Sequence, residues 1–309
     1  MNKEKTSVII SGGVGKHISF SALLPQLKEK YGDIILVSAY PMVFYNNPNV
    51  YRNLMSNHPY LYEDYLKDSV RFKVEPYETN EYSNDKMHLL DVYGKLLNIE
   101  KPSHKPELFT TKQEDAEAMG YIVNVLKTPF ILMQISGGTS LYTPDNPNKI
   151  SFSRDYPLEL AQDLVYKIRA KYPTLAVIQI GFKSEPLLKD VINMTNLPVR
   201  AIFPLMKYCK TFISIDSFLQ HVSAAYDKKG IVLWGGTDPK KLGYEHNVNL
   251  ENLQLAKCKE IHCHRPDTFF FDQESLRTWT CPFDYECMNF KSDVIMPEFD
   301  KIMEQQEPK

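Results

Sequence analysis

Residues 216–225 read Asp-Ser-Phe-Leu-Gln-His-Val-Ser-Ala-Ala, and residues 231–239 read Ile-Val-Leu-Trp-Gly-Gly-Thr-Asp-Pro. The run 211–216 (TFISID) is apolar enough for a buried strand that stops at Asp216. Ser217 then opens a helix, and the first N–H groups of a helix have no partner inside it. Such an end attracts an anion, a pyrophosphate for example. His221 lies one turn further on, within reach of the same anion, and Ala224 and Ala225 let the helix pack closely on a sheet. The next strand, 230–235, delivers Gly236, Thr237, Asp238 and Pro239 to the same carboxyl edge. Open α/β sheets take their ligands there.

Working outward, the same alternation recurs. Residues 6–11 (TSVIIS), 33–39 (DIILVSA), 130–136 (FILMQIS) and 175–181 (LAVIQIG) also read as strands that are apolar throughout. Phe20, Leu23, Leu24, Leu27 and Tyr31 share one helical face, as do Leu160, Ala161, Leu164, Val165, Ile168 and Tyr172. Apolar strands alternating with amphipathic helices predict parallel sheets covered on both faces. The expected fold is α/β with two Rossmann-like domains, 1–125 and 126–285, and a closing helix or tail at 286–309. Residues 46–57 and 76–85, rich in Asn, Tyr, Pro and Glu, read as loops with short helices.

Composition excludes several classes. Among 309 residues, 36 basic side chains against 38 acidic ones leave a net charge of −2, which argues against a protein living on nucleic-acid phosphates. No apolar run reaches the ~18–20 residues of a membrane span. The opening MNKEKTSVIIS shows no apolar leader, and five cysteines are too few and too odd in number for a disulfide scaffold, so the cytoplasm is the expected compartment.

A second glycine-rich turn, Ser11-Gly12-Gly13-Val14-Gly15-Lys16-His17, follows the first strand. Gly13, Gly15 and Lys16 suit a phosphate or acceptor loop. The string resembles the phosphate loop of ParA-type ATPases, but that loop needs Ser or Thr after its lysine to hold Mg²⁺, and His17 stands there. A tight strand-to-helix turn explains the glycines equally well.

The string 216–239 resembles the donor site of glycosyltransferase family 9, the heptosyltransferase-type enzymes of GT-B fold. The resemblance runs in order along residues 7–290. It takes in 15–33 with its Leu23, Leu24, Leu27, Tyr31, Gly32 and Asp33; 135–139 (Ile-Ser-Gly-Gly-Thr); 154–157 (Arg-Asp-Tyr-Pro); 178–181 with Glu185; and Cys281-Pro282 and Cys287-Met288. It implies two domains facing across a cleft, an acceptor on the first and a nucleotide-diphosphate sugar on the second. Thr139, Arg154, Glu185, Asp216, Ser217, His221 and Thr237 are the implied donor contacts. The final helix is expected to return to the N-terminal domain. Transfer is expected to invert the sugar without an obligatory metal or cofactor.

Two departures stand out. The family's proton-accepting Asp is Lys16 here, and a lysine of ordinary pKa takes no proton at neutral pH. His17, with an ordinary imidazole pKa, is the candidate in its place, although a histidine just inside a helix is often structural. Phe218 stands where the family prefers Gly. The acceptor class is a glycan or a hydroxymethylated DNA base, for which Tyr45, Tyr51, Arg52, Lys67, Arg71 and Lys73 offer aromatic and basic contacts. An ATPase built on Lys16 and a catalytically silent nucleotide-sugar binder are the alternatives. Cys258, Cys263, Cys281 and Cys287 suit either a zinc site or a set of buried thiols.

Overall fold

The computed structural model describes residues 5–84, 87–137, 154–181, 186–252 and 283–305. The chain divides into two compact units, Met1–Ala116 and Glu117–Lys309. No helix among the described residues is long and apolar enough to cross a membrane.

The first unit holds β1 (Lys5–Ile10), α1 (Val14–Phe20), α2 (Leu24–Tyr31), β2 (Ile34–Ser38), β3 (Arg52–Met55), β4 (Ser69–Val74), α3 (Asn80–Ser83) and α4 (Leu89–Leu96), and α5 (Lys112–Tyr121) spans its end. Its four strands are all parallel, in the order β3-β2-β1-β4. The apolar stripe from Phe20 to Tyr31 is helical, as its spacing predicts, but not one helix: a 3-10 turn at Ser21–Leu23 separates α1 from α2. Pro25 sits at the start of α2 and has no N–H to continue the ladder. Phe20 packs edge-on against Phe44 and Tyr93, and all three are buried.

The second unit holds β5 (Phe130–Gln134), α6 (Leu158–Lys171), β6 (Ala176–Gly181), β7 (Ile192–Thr195), α7 (Val199–Tyr208), β8 (Phe212–Ile215), α8 (Phe218–Ala225), β9 (Ile231–Trp234), α9 (Pro239–Leu242), β10 (Val248–Glu251) and α10 (Ser292–Glu304). Its six strands are parallel, in the order β10-β9-β8-β5-β6-β7. Every strand expected from an apolar run is present. The four that were not expected, β3, β4, β7 and β10, are the outer strands of the two sheets; they are mostly polar or exposed, and all but β4 have only four residues.

The final helix, α10, packs into the second unit's own core. Ile295, Phe299 and Ile302 are buried with Leu164, Val165 and Ile168 of α6. Tyr172 meets Phe299 edge-on, with ring centroids 5.6 Å apart, and its hydroxyl donates to Asp300 Oδ1 at 2.7 Å. The apolar positions 295, 299 and 302 recur at helical spacing, and α6 offers the complementary stripe.

Candidate functional site

In each sheet the chain runs outward from its first strand in one direction and then crosses to the other side. Ligands collect at the carboxyl ends of the strands flanking such a switch point. The switch lies between β5 and β8 in the second sheet and between β1 and β4 in the first.

At the second unit's switch point, β5 ends on Gln134, which is buried. Its Nε2 donates to Ser217 Oγ at 2.9 Å and to the Ser136 carbonyl at 3.0 Å. Ser217 is the extended residue before α8, yet its side chain caps nothing, because Gln134 holds the hydroxyl. The N-terminus of α8 is therefore left without a side-chain cap at the carboxyl edge of the sheet. Gln220 donates from Nε2 to Asp216 Oδ1 at 2.6 Å. Arg154 brings Nη1 to 3.9 Å from Asp216 Oδ2, a long ion pair with a quarter of the arginine side chain exposed. Two contacts fix the backbone beside Arg154: Gly137 N donates to Asp155 Oδ1 at 2.7 Å, and Tyr156 N to the Ile135 carbonyl at 2.8 Å.

His221 Nδ1 lies 2.9 Å from the Tyr244 hydroxyl. Burial, reinforced by the negative charge of Asp216, holds the Tyr244 phenol well above its ordinary value, so it stays protonated. In the tautomer where the phenol donates to Nδ1, the proton of a neutral imidazole sits on Nε2 and makes that nitrogen a donor. Thr237, just past β9, is 1% exposed, and its hydroxyl has no hydrogen-bond partner among the described residues. The same is true of Gln134 Oε1, Gln220 Oε1 and Arg154 Nε. Leaving such a group buried and unpaired costs about 1–3 kcal/mol, so four at one carboxyl edge mark a place made for a ligand. Gln179, the equivalent polar residue of β6, shows the contrast. Its amide donates to the Pro186 carbonyl and accepts from Leu188 N, both at 2.9 Å.

At the first unit's switch point, Gly12 has φ +94°, a value that demands glycine, and a Cβ there would meet Lys16 Cδ at 3.0 Å. Lys16 thus folds over Gly12, and Gly13 is the residue before α1. The Lys16 ammonium is not offered to a phosphate. It donates to both carboxylate oxygens of Glu75 at 2.7 Å and lies 5.1 Å from the Tyr77 ring centre. Burial lowers its pKa, while Glu75 counteracts that shift. Glu75 follows β4, whose Val74 is in register with Ile10 of β1, so it faces the glycine turn directly, and Ser11 Oγ donates to it at 3.2 Å. The cation that the ATPase reading needs is engaged by Glu75 in this structure.

His17 is fully buried among aromatic rings, 5.2 Å from Tyr40 and 6.1 Å from Phe44 between centroids, and its Nδ1 bonds the Gly13 carbonyl at 2.9 Å. Burial, with Lys16 adding to it, pushes the imidazole down to about 4. That geometry gives His17 a structural part in the turn rather than a place at a reacting hydroxyl. It also has a consequence for acid stability. The folded pKa lies below the unfolded value of 6.5, so the unfolded chain binds more protons between the two. Stability from this residue is complete above pH 6.5 and is lost as the pH falls to about 4, roughly 3 kcal/mol in all. Urea unfolding of the first unit at pH 7 and pH 4.5 is expected to show this drop, reduced in His17→Gln. An equal drop in both proteins would place the acid sensitivity elsewhere.

Thr139, Glu185, Cys258, Cys263 and Cys281 lie outside the described residues, and the zinc reading lies there with them. Cys287 packs partly buried against the second unit's core. Phe218, which stands where the resembled family prefers Gly, is buried. The sequence reading missed Gln134, Gln220, Tyr244 and Glu75. Gln134 left a signal, a polar residue near the end of an otherwise apolar strand. Glu75 left none, since β4 is not apolar.

The chain can now be set beside known proteins. Residues 185–269 match Glycosyltransferase family 9 (heptosyltransferase). A glycosyl transferase family 9 structure from Veillonella parvula shares the fold with a TM-score of 0.64 at 14% identity, covering 99% of both chains. The iron-containing dodecameric glycosyltransferase TibC from enterotoxigenic E. coli gives a TM-score of 0.70 at 11% identity, over 99% of this chain and 77% of that one. The E. coli heptosyltransferase WaaC, solved with ADP, gives 0.55 at 10%, over 96% and 99%. No curated protein sequence matches the chain. The fold is thus GT-B, the fold of the glycosyltransferase structures it matches. More narrowly the chain is heptosyltransferase-like: the resemblance to glycosyltransferase family 9 drawn from its motifs is met again in the match over 185–269.

Proposed function

We propose that the protein transfers a sugar from a nucleotide-diphosphate donor to a hydroxyl of a saccharide acceptor. The observation that carries this reading is the uncapped start of α8 with Gln134 holding Ser217 beside it, ringed by buried polar atoms that lack partners. A diphosphate suits that end of α8: its charge meets the helix N–H groups, the His221 Nε2 proton and the Arg154 guanidinium, and the Thr237 hydroxyl is available to a further oxygen. As the sugar–phosphate bond breaks, these groups stabilise the charge growing on the departing diphosphate. None of these roles calls for a metal ion in the transfer. Thr139 and Glu185 are proposed donor contacts on the resemblance alone.

The acceptor hydroxyl must lose its proton, and in the first unit Glu75 is the group suited to take it. It is a carboxylate at the switch point, oriented by Lys16, with part of its side chain reaching solvent. The sugar's anomeric carbon then exchanges its bond to the diphosphate for one to the acceptor oxygen, with inversion.

Donor binding is testable without an acceptor. ADP and other nucleoside diphosphates are expected to raise the melting temperature of the wild-type chain, since a ligand that binds only the folded state stabilises it. Gln134→Leu, which frees Ser217 to cap α8, is expected to weaken that binding about 10-fold, and Arg154→Ala by a similar factor. Unchanged affinity in both variants would remove the donor from this edge of the sheet.

A further inference from the structure

We infer that the first unit carries a binding site for a divalent transition-metal ion of the zinc type, made by His88, Asp91 and His104. One ligand atom from each of these residues lies within 4.8 Å of the others. The site is separate from the glycosyl-transfer reading and does not depend on it.

The local sequence explains how the three side chains meet. His88 is the residue before α4, and Asp91 falls three positions later, so both lie on one face of the first turn. The chain then returns over that face. Gly94 permits the approach: a Cβ there would meet Pro102 Cγ at 2.8 Å and the Ile99 carbonyl at 2.9 Å. Gln26 clamps the returning segment from both ends of its amide, donating to the Lys101 carbonyl at 2.7 Å and accepting from Ser103 N at 2.8 Å. Ser21 Oγ takes Glu107 N at 2.9 Å a little further on. His104 is thereby delivered onto α4 by fixed backbone. Its Nε2 lies 2.8 Å from Asp91 Oδ1, and its ring stacks on that of His88 with centroids 4.4 Å apart and planes within 20°.

Two imidazoles stacked this closely would repel if both were charged, and a metal ion lets both stay neutral while Asp91, bonded to His104, supplies the negative charge. Zinc takes imidazole nitrogen and carboxylate oxygen at ~2.0–2.2 Å, which needs ligand atoms ~3.3–3.5 Å apart, so the widest pair closes by up to about 1.5 Å and the His104–Asp91 pair opens slightly, both by side-chain rotation. His88 accepts from Leu90 N through Nδ1 at 3.2 Å, and that lone pair passes to the metal in exchange for a long contact. His104 ligates through Nε2, its proton moving to Nδ1. Water completes the tetrahedron, since the group is only partly buried. Two nitrogens and one carboxylate favour zinc and its neighbours over Ca²⁺ and Mg²⁺, which take oxygen cages.

Calorimetric titration of the whole reduced chain with zinc sulfate tests this, beside His88→Ala/His104→Ala and Asp91→Asn. The wild type is expected to bind one zinc equivalent that the double variant lacks, with Mg²⁺ failing to compete and the zinc-induced rise in melting temperature disappearing. Because the cysteines of 258–287 are potential zinc ligands too, Co²⁺ is the second probe. The equivalent lost in the variants must be one without thiolate-to-cobalt charge-transfer absorption. Should either variant misfold, by circular dichroism, the decision passes to the wild type's histidine ring NMR signals, which must shift on adding zinc. Equal stoichiometry and affinity in wild type and double variant, or unmoved histidine signals, would overturn the assignment.

Discussion

Glu75→Gln is expected to lower kcat by about 10²–10⁴-fold while leaving the affinity for the nucleotide donor unchanged. The size follows from losing a positioned proton acceptor. The unchanged donor affinity follows from placing every donor contact in the second unit. Glutamine keeps an oxygen to accept from Lys16, so the turn stays filled, but the ammonium loses its countercharge and some stability is lost with it. The kinetic split separates this loss from a catalytic one. A merely destabilised enzyme loses active fraction, which a melting curve detects and which leaves the pH profile in place. Loss of the proton acceptor lowers kcat in the fully folded fraction itself. Glu75→Asp retracts the carboxylate by one methylene and is expected to recover part of the rate. Wild-type kcat in folded Glu75→Gln would move the proton acceptor to another residue.

That prediction depends on a residue that could not be picked out beforehand, and the reason is physical. Sequence periodicity reports burial. The six central strands are buried on both faces and read as apolar runs, so they were legible, and with them the parallel sheets and the turn 216–217. β4 is an outer strand in which only Val74 is buried, so neither it nor the glutamate that follows it stood out. His17 was named because it adjoins Lys16, where the resemblance puts an Asp, and its packing against Tyr40 and Phe44 could not be read from that adjacency. The strand ending before Asp216 and the helix starting after Ser217 were legible because a strand end and a helix start are local events. The Gln134–Ser217 hydrogen bond joins residues 83 positions apart and follows only from strand order.

The second large effect concerns stability. Phe299→Ala is expected to cost about 3–5 kcal/mol, the range for emptying a buried phenylalanine site. Phe299 is fully buried, meets Tyr172 edge-on and lies in one core with Val165 and Ile168. The melting temperature of the second unit is expected to fall by roughly 10 °C. Lys171→Ala, which removes an exposed pair with Asp300 on the same helix contact, is expected to cost under ~1 kcal/mol. Calorimetry of the three proteins decides it. Comparable small losses in both variants would mean that α10 is held by its surface charges and not by its apolar face.

The outer strands that escaped the sequence reading have a further effect, on how the molecule behaves in a crowded solution. A free sheet edge is a template onto which a strand of another molecule can add, and short, charged strands are poor templates. In the first sheet β3 carries Arg52 and β4 carries Arg71 and Lys73. Arg52 and Arg71 also lie over the rings of Tyr51 and Tyr62, which covers apolar surface with charge beside the edge. A partly synthesised or partly opened chain therefore meets its neighbours with cations at both margins of that sheet, which disfavours the first step toward fibrous aggregates.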